Sequence, residues 1–300
     1  MNTPSPATPP PLEGRAALVT GVSRRRGIGF AIARTLLDLG ASVHVHHFHR
    51  HDLDQPWGGD DMCALVEELA THLRPGAVLT HSDADLGDAG QVEPLLDRAE
   101  ALTGTLDILV CNHARSGMDG SVLDIDAARL DAHWTTNTRS TLLLTAGLAR
   151  RLDGARSRPA RPGEIIGAPG SWRMGPGRAR PRAKVIWMTS GQIHTPMRGE
   201  VAYATSKAAL AGVTRTVAAE LLDLGIVLNT IDPGPVNTGY LDPDTTDRGV
   251  ESIEALLSRT PFGRFGEPDD VARLVAWLIG EEGSWVVGQV ITSDGGFSTP

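Results

Sequence analysis

Apolar positions fall into two alternating rhythms along the chain. Short solid apolar runs, such as Ala16-Ala17-Leu18-Val19, are followed by longer stretches in which apolar residues recur every three or four, such as Phe30-Ala31-Ile32-Ala33-Arg34-Thr35-Leu36-Leu37. Runs of the first kind predict strands buried on both faces, and the second kind predicts helices with one apolar stripe. The rhythm places strands over 16–19, 41–48, 77–80, 106–110, 184–189 and 226–231, with a last strand and turn over 289–296. Helices are expected over 30–37, 62–73, 91–102, 130–151, 203–222 and 269–278, with a short helical pattern over 252–257. Strand and helix in alternation predict an α/β architecture with a mainly parallel sheet.

Two stretches break the rhythm. Residues 1–12 hold five prolines and little that could dock, and read as a disordered tail. Residues 153–183 are an insertion where a connection of a few residues is expected. The insertion is rich in Arg, Pro and Gly, and its arginines at 156, 158, 161, 173, 178, 180 and 182 face few acids (Asp153, Glu164). It is either a mobile surface loop or a basic surface for an acidic partner or an anionic carrier. The remainder, 13–300, reads as one domain.

Composition narrows the possibilities. A hydrophobic content of 41% supports a large core, and a formal net charge of −8 argues against a nucleic-acid partner. Cys63 and Cys111 make no disulfide or metal framework. No secretory h-region and no apolar run of the ~18 residues needed to span a bilayer is present, so a cytoplasmic protein without a membrane partner is expected.

Candidate chemistry begins at Thr20-Gly21-Val22-Ser23-Arg24-Arg25-Arg26-Gly27-Ile28-Gly29, between the first strand and the first helix. Glycines let backbone turn tightly beside a pyrophosphate, and a helix N-terminus offers free N–H groups. Alone, such a turn is equally an ordinary strand-to-helix connection. Further along, Tyr203-Ala-Thr-Ser-Lys207 is a Tyr-x3-Lys pair, and Ser190 ends a predicted strand thirteen residues before the tyrosine. Together, in this order, these motifs resemble the short-chain dehydrogenase/reductase family over nearly the whole chain, and 3-oxoacyl-carrier-protein reductases most in general pattern. The resemblance implies a Rossmann-type, doubly wound domain of about seven strands with helices on both faces.

It also implies site residues. The glycine turn (Gly21, Ser23, Arg24, Arg25, Arg26, Gly27, Ile28, Gly29) would hold the dinucleotide. Asp85 and Leu86 match the adenine-contacting pair, though Asp85 also suits a helix cap. Asn112-His113-Ala114 stands where the family shows Asn-Asn-Ala-Gly, with His113 and Arg115 departing from the pattern. Pro233, Gly234, Val236 and Thr238 resemble the nicotinamide-side loop.

Cofactor choice rests on the end of the second strand. An acid there would select NAD through the ribose hydroxyls. The chain has His47-Phe48-His49-Arg50 instead, with no acid until Asp52. Arginines at 24, 25 and 26 could bind a 2′-phosphate, Arg26 being the family's usual position, with Phe48, His49 and Arg50 closing the site. NADP(H) is therefore preferred, with NAD(H) as the alternative. The histidines from His44 to His51 are not a metal site, because strand alternation sends His44 and His46 to one face and His47 and His49 to the other. Edge-of-cofactor contacts or plain surface account for them better.

The chemistry expected is hydride transfer at a carbonyl or alcohol carbon. A phenol titrates near 10 unless a neighbouring cation lowers it, and Lys207, one helical turn on, is placed to do so. Tyr203 is thus the expected general acid/base, Lys207 its tuner and Ser190 the group that orients the substrate oxygen. Asn137, a polar residue inside a helix, is either a buried tie to backbone or, as the resemblance implies, the support of a proton-relaying water. Five residues separate Gly21 from Gly27, as in the enoyl reductase branch, but that branch's tyrosine would fall at Glu200, so carbonyl chemistry is favoured. A small-molecule ketone or secondary alcohol, free or carrier-bound, is the expected substrate, with residues 191–201 and 239–262 shaping its pocket. The resemblance implies a homotetramer or homodimer. A non-catalytic dinucleotide-binding protein is the competing class.

Overall fold

β1 (Ala16–Thr20) is apolar because both of its faces are covered. In the computed structural model, which describes residues 9–153, 163, 181–246 and 249–299, it is an interior strand, third from one edge, of a seven-stranded, wholly parallel sheet. The other strands are β2 (Ser42–His47), β3 (Leu79–Asp83), β4 (Ile108–Cys111), β5 (Ala183–Met188), β6 (Ile226–Asp232) and β7 (Val290–Thr292), in the order β3-β2-β1-β4-β5-β6-β7. The order reverses direction beside β1, which opens a crevice at the C-terminal ends of β1 and β4.

Alternate side chains of the strands feed two cores. Ala17, Val19, Val43, Val45 and Val110 pack with α1 (Ile28–Asp38), α3 (Met62–Ala70) and α9 (Pro268–Ile279) on one face. Leu18, Leu109, Val185, Trp187 and Leu228 pack with α4 (Val92–Glu100), α6 (Ser140–Asp153) and α7 (Val201–Leu222) on the other. This is the doubly wound arrangement expected. Two smaller helices, α2 (His49–Leu53) and α8 (Val250–Leu257), border the crevice. Among the described residues no helix is long and apolar enough to cross a membrane.

Three expectations need correction. The third strand runs over Leu79–Asp83, not 77–80, because an edge strand is covered on one side and reads Leu-Thr-His-Ser-Asp rather than as an apolar run. The long helix expected over 130–151 is α5 (Ala127–His133), a π-helical turn (Trp134–Arg139) and α6 in succession. Of the tail expected over 1–12, residues 1–8 lie outside the described residues, and the rest is docked: Leu12 is buried in the first core, its N–H donates to Leu39 O at 2.9 Å, and Pro10 covers Gly40. A single leucine among prolines suffices to dock there. The insertion lies outside the described residues except at its ends and Gly163, so Arg156, Arg158, Arg161, Arg173, Arg178 and Arg180 have no structural account.

The β2 histidines are interior groups rather than surface ones, and His46 also lines the crevice. His44 Nδ1 lies 2.7 Å from Thr80 Oγ1 and its Nε2 2.8 Å from Ser82 Oγ. Burial lowers the pKa of both His44 and His46 to about 4. An unfolded histidine titrates near 6.5, so the unfolded chain takes up these protons first. Their contribution is complete above pH 6.5 and is lost as pH falls toward 4, up to about 3 kcal/mol for each ring. Chemical denaturation at pH 7.5 and at pH 5 should show a large loss of stability, flattened in His44→Val; an unchanged slope in that variant would refute the assignment.

Candidate active site

The crevice is a cleft of about 1160 Å³, walled by the glycine turn, the ends of β4 and β5, α7 and the loop after β6. The turn is fastened from three sides. Asn112 Nδ2 donates to Thr20 O and Gly21 O, both at 3.1 Å. His46 Nε2 donates to Ala84 O at 2.8 Å, which leaves Nδ1 to accept from Gly21 N–H at 3.3 Å. His113, also fully buried and held well below its usual pKa by burial, sits with Nδ1 2.7 Å from Thr20 Oγ1. Gly21 has φ +75°, and a Cβ there would lie 2.8 Å from His113 Cα. His113, a departure from the family's motif, thus packs directly under the turn.

Gly21, Ser23, Arg24, Gly27 and Ile28 line the cleft, as do Phe48, Asp85, Leu86, Asn112, His113, Ala114, Pro233, Gly234, Val236 and Thr238. Gly29 does not, being buried against Gly21 and Asn112. The arginine run divides. Arg25 pairs with Asp60 and Glu68, at 3.4 and 2.5 Å, and Arg26 with Asp242 at 2.6 Å, on the outside of the turn. Neither lines the cleft in this structure. Arg24 turns inward instead: Nη1 donates to Thr238 O at 2.6 Å, Nε lies 3.1 Å from Asp52 Oδ1, and the guanidinium sits 5.6 Å from the Trp57 ring centroid. The two extra residues of the turn let Arg24 reach in while carboxylates hold the next two arginines out. His49 packs on Gly59, and Arg50 is exposed on α2, so neither borders the cleft.

Ser190 follows β5, and Tyr203 and Lys207 stand one turn apart on α7; all three line the cleft. Lys207 Nζ donates to Met188 O at 3.0 Å, and Thr189 Oγ1 donates to Lys207 O at 2.8 Å, which pins α7 to the end of β5. The ammonium lies 5.8 Å from the Tyr203 ring centroid. Burial pushes the phenol above its ordinary range while the Ser190 hydroxyl pulls it down, and burial lowers Lys207 to about 8. Desolvation of the phenolate thus opposes the lowering that the Lys207 cation would bring, and the ammonium also donates to a carbonyl.

Asn137 stands behind the cleft wall. It is fully buried on the π-helical turn and outside the cleft. Its Oδ1 accepts from Arg115 N–H at 2.6 Å, and its Nδ2 donates to Arg115 O at 3.1 Å and Ser206 Oγ at 3.0 Å. These bonds tie the side chain to the Arg115 backbone and to α7, and they are compatible with both readings of the residue.

Asp52, Trp57, Arg115, Asp119, Tyr240 and Arg259 also line the cleft and were not foreseen. Asp52 carried a signal as the first acid after β2; the short helix α2 folds it back until Ser23 Oγ donates to it. The others sit in loops whose paths sequence periodicity does not encode.

The cleft suits a dinucleotide. The N-terminus of α1 faces it with Gly27 as N-cap and no side-chain cap, so its first amides are available to a pyrophosphate. Trp57 Nε1 and Arg115 Nε are buried in the wall without a hydrogen-bond partner. Among the described residues no group of three or more His, Cys, Asp or Glu side chains could hold a metal ion.

A family model described as Enoyl-(Acyl carrier protein) reductase matches residues 21–166 and 172–298. An uncharacterized oxidoreductase of Bacillus subtilis, YjdA, is 34% identical over 285 residues, covering 94% of this chain and 96% of that protein. A chloroplastic NADPH-dependent aldehyde reductase-like protein of Arabidopsis thaliana is 32% identical over 303 residues, covering 99% and 100%. Among solved structures, a short chain dehydrogenase from Burkholderia cenocepacia in complex with NADP is 30% identical, with a TM-score of 0.74 over 96% of this chain and 100% of that one.

Proposed function

The chain belongs to the short-chain dehydrogenase/reductase family, and from that premise we propose that it is an NADP(H)-dependent oxidoreductase that reduces a ketone to a secondary alcohol with Tyr203 as general acid. The observation that carries the reading is the convergence of Ser190, Tyr203 and Lys207 on the cleft that also holds the glycine turn. A bound nicotinamide cofactor supplies the hydride in such chemistry. The residues supply the rest. Tyr203, with its pKa raised, keeps its proton at neutral pH and is ready to give it to a developing alkoxide. Lys207, titrating near 8, is mostly charged at pH 7 and stabilises the phenolate left behind. Ser190 donates to the substrate oxygen.

Within this reading Arg24, not Arg26, meets the 2′-phosphate, exchanging Thr238 for it. NADPH binding by the Arabidopsis relative and NADP in the Burkholderia structure support the preference. Asp52 beside Arg24 favours the second reading, NAD(H), through the ribose hydroxyls. Titration with NADPH and NADH, followed by nicotinamide fluorescence, separates them. Arg24→Ala should weaken NADPH binding about 10- to 50-fold, the worth of a charge-assisted contact, and leave NADH within about threefold. Arg26→Ala should change neither. Equal affinities untouched by Arg24→Ala would establish NAD(H).

The length of the glycine turn and the description of the family model favour a competing chemistry, reduction of an enoyl carbon–carbon double bond. Glu200 at that branch's tyrosine position opposes it. Turnover of enoyl thioesters without turnover of ketones would decide for it, and cofactor binding without turnover of either would return the non-catalytic class. The family resemblance also supports a homo-oligomer, dimer or tetramer, which light scattering would establish.

A further inference from the structure

Helix α7 carries Tyr203 in its first turn, yet nothing local caps that turn. Its N-cap, Glu200, has φ −125° and ψ 47° and makes no side-chain cap hydrogen bond. The donors are met from a distance of more than eighty residues: Asp119 Oδ1 accepts from Ala202 N–H at 3.0 Å, and Asp119 Oδ2 accepts from Tyr203 N–H at 2.7 Å. Val201 N–H donates to Gly120 O at 3.3 Å. The carboxylate is only 5% exposed, and His133 Nε2, fully buried and without a hydrogen-bond partner, stands 4.0 Å from its Oδ2. Asn137, four residues beyond His133, ties the other end of the same short loop at Arg115.

We propose that Asp119, backed by His133, is a positioning residue for the reaction: it sets the height of Tyr203 in the cleft by clamping the backbone amide of the tyrosine itself. The physical case is one of geometry and charge. A carboxylate that accepts from two consecutive amides at a helix N-terminus makes charge-assisted bonds and complements the helix dipole. One end of that clamp is the residue whose phenol must meet the substrate oxygen. Release of the amide lets the first turn fray, and the phenol then loses its relation to Ser190, while the dinucleotide contacts of the glycine turn, far along the cleft, are unaffected. The inference rests on the reading of Tyr203 as general acid.

The test is steady-state reduction of an accepted ketone by Asp119→Ala and Asp119→Asn, with NADPH affinity from fluorescence titration. Asp119→Ala should lower kcat about 10- to 100-fold, as displacement of a catalytic group by a fraction of an ångström to an ångström does, with KM and NADPH affinity within about threefold. Asp119→Asn, which keeps one acceptor, should recover most of that loss. Equal loss in both KM and kcat, no rescue by Asn, or wild-type kcat in Asp119→Ala would overturn the proposal. If Asp119→Ala does not fold, Asp119→Ser takes its place, and wild-type kcat and thermal stability in that variant overturn the proposal. Tyr203→Phe is assayed alongside: if it stays active, the reading of Tyr203 has failed, whereas an inactive Tyr203→Phe beside a fully active Asp119→Ala means that only the clamp has.

Discussion

Tyr203→Phe should abolish turnover, lowering kcat by roughly a thousandfold or more, the upper range for loss of a positioned proton donor, while NADPH binds within about threefold of wild type. The substitution removes one oxygen and keeps the ring. The side chain is half-buried with Lys207 against its ring, so phenylalanine occupies the same space without a cavity. The lost group is the one proton source aligned with Ser190 in the cleft wall. The hydroxyl of Ser190, left with Met197 Sδ at 3.8 Å as its remaining partner, cannot substitute, since its own proton is far less acidic. The measurement is steady-state ketone reduction with a parallel cofactor titration and thermal melt. Retained turnover with normal binding would remove Tyr203 from the chemistry and turn attention to Glu200, a carboxylate on the same wall.

The second large effect is structural. Gly29→Ala should destabilise the chain by about 2–4 kcal/mol, the range for forcing a group into a packed site, and weaken either dinucleotide at least tenfold. A methyl group there would collide with Gly21 O and lie 2.7 Å from Asn112 Nδ2. Neither neighbour can yield cheaply: the carbonyl is in the tightest part of the turn, and the Asn112 amide is already engaged by Thr20 O and Gly21 O. The helix must move off β1, or the fastening of the turn must break. Gly212→Ala is the matched control, because Gly212 is exposed within α7 and a methyl there meets nothing within 4 Å. That change should be neutral or stabilise by about 0.5–1 kcal/mol through helix propensity. Equal melting behaviour of the two variants would refute the role given to Gly29.

Local chemical constraints such as that at Gly29 are legible in the sequence. A glycine turn between an apolar run and a helical pattern could be read directly, because the constraint is local and chemical. The same holds for Tyr203, Lys207 and Ser190, whose spacing along one helix and one strand end fixes their meeting. Patterning also found every strand, but misplaced β3, where one-sided burial lets Thr80 and Ser82 stand in a strand. What the sequence left open depends on charge partners brought from afar. Three consecutive arginines look alike in a row of letters; Asp60, Glu68 and Asp242 decide that Arg25 and Arg26 face outward and Arg24 inward. The histidines of β2 invited a surface reading because polarity was taken for exposure, whereas Thr80, Ser82 and Ala84 O supply buried partners. Asn137 was readable as a residue with a purpose, but not as the tie between Arg115 and Ser206.

The strand order has a consequence for how the molecule is made. β1 pairs with β2 within about thirty residues of chain, but its other neighbour, β4, ends at Cys111, and β5 to β7 then add one after another on that side. During synthesis β1, β2 and β3 can associate early, leaving the inner edge of β1 bare until β4 leaves the ribosome. An apolar strand with an unpaired edge is a template for aggregation. The segment from 154 to 180 then delays the arrival of β5 at the exposed edge of β4. Slower translation of that segment should therefore lower soluble yield, whereas excess chaperone supplied at that stage should restore it.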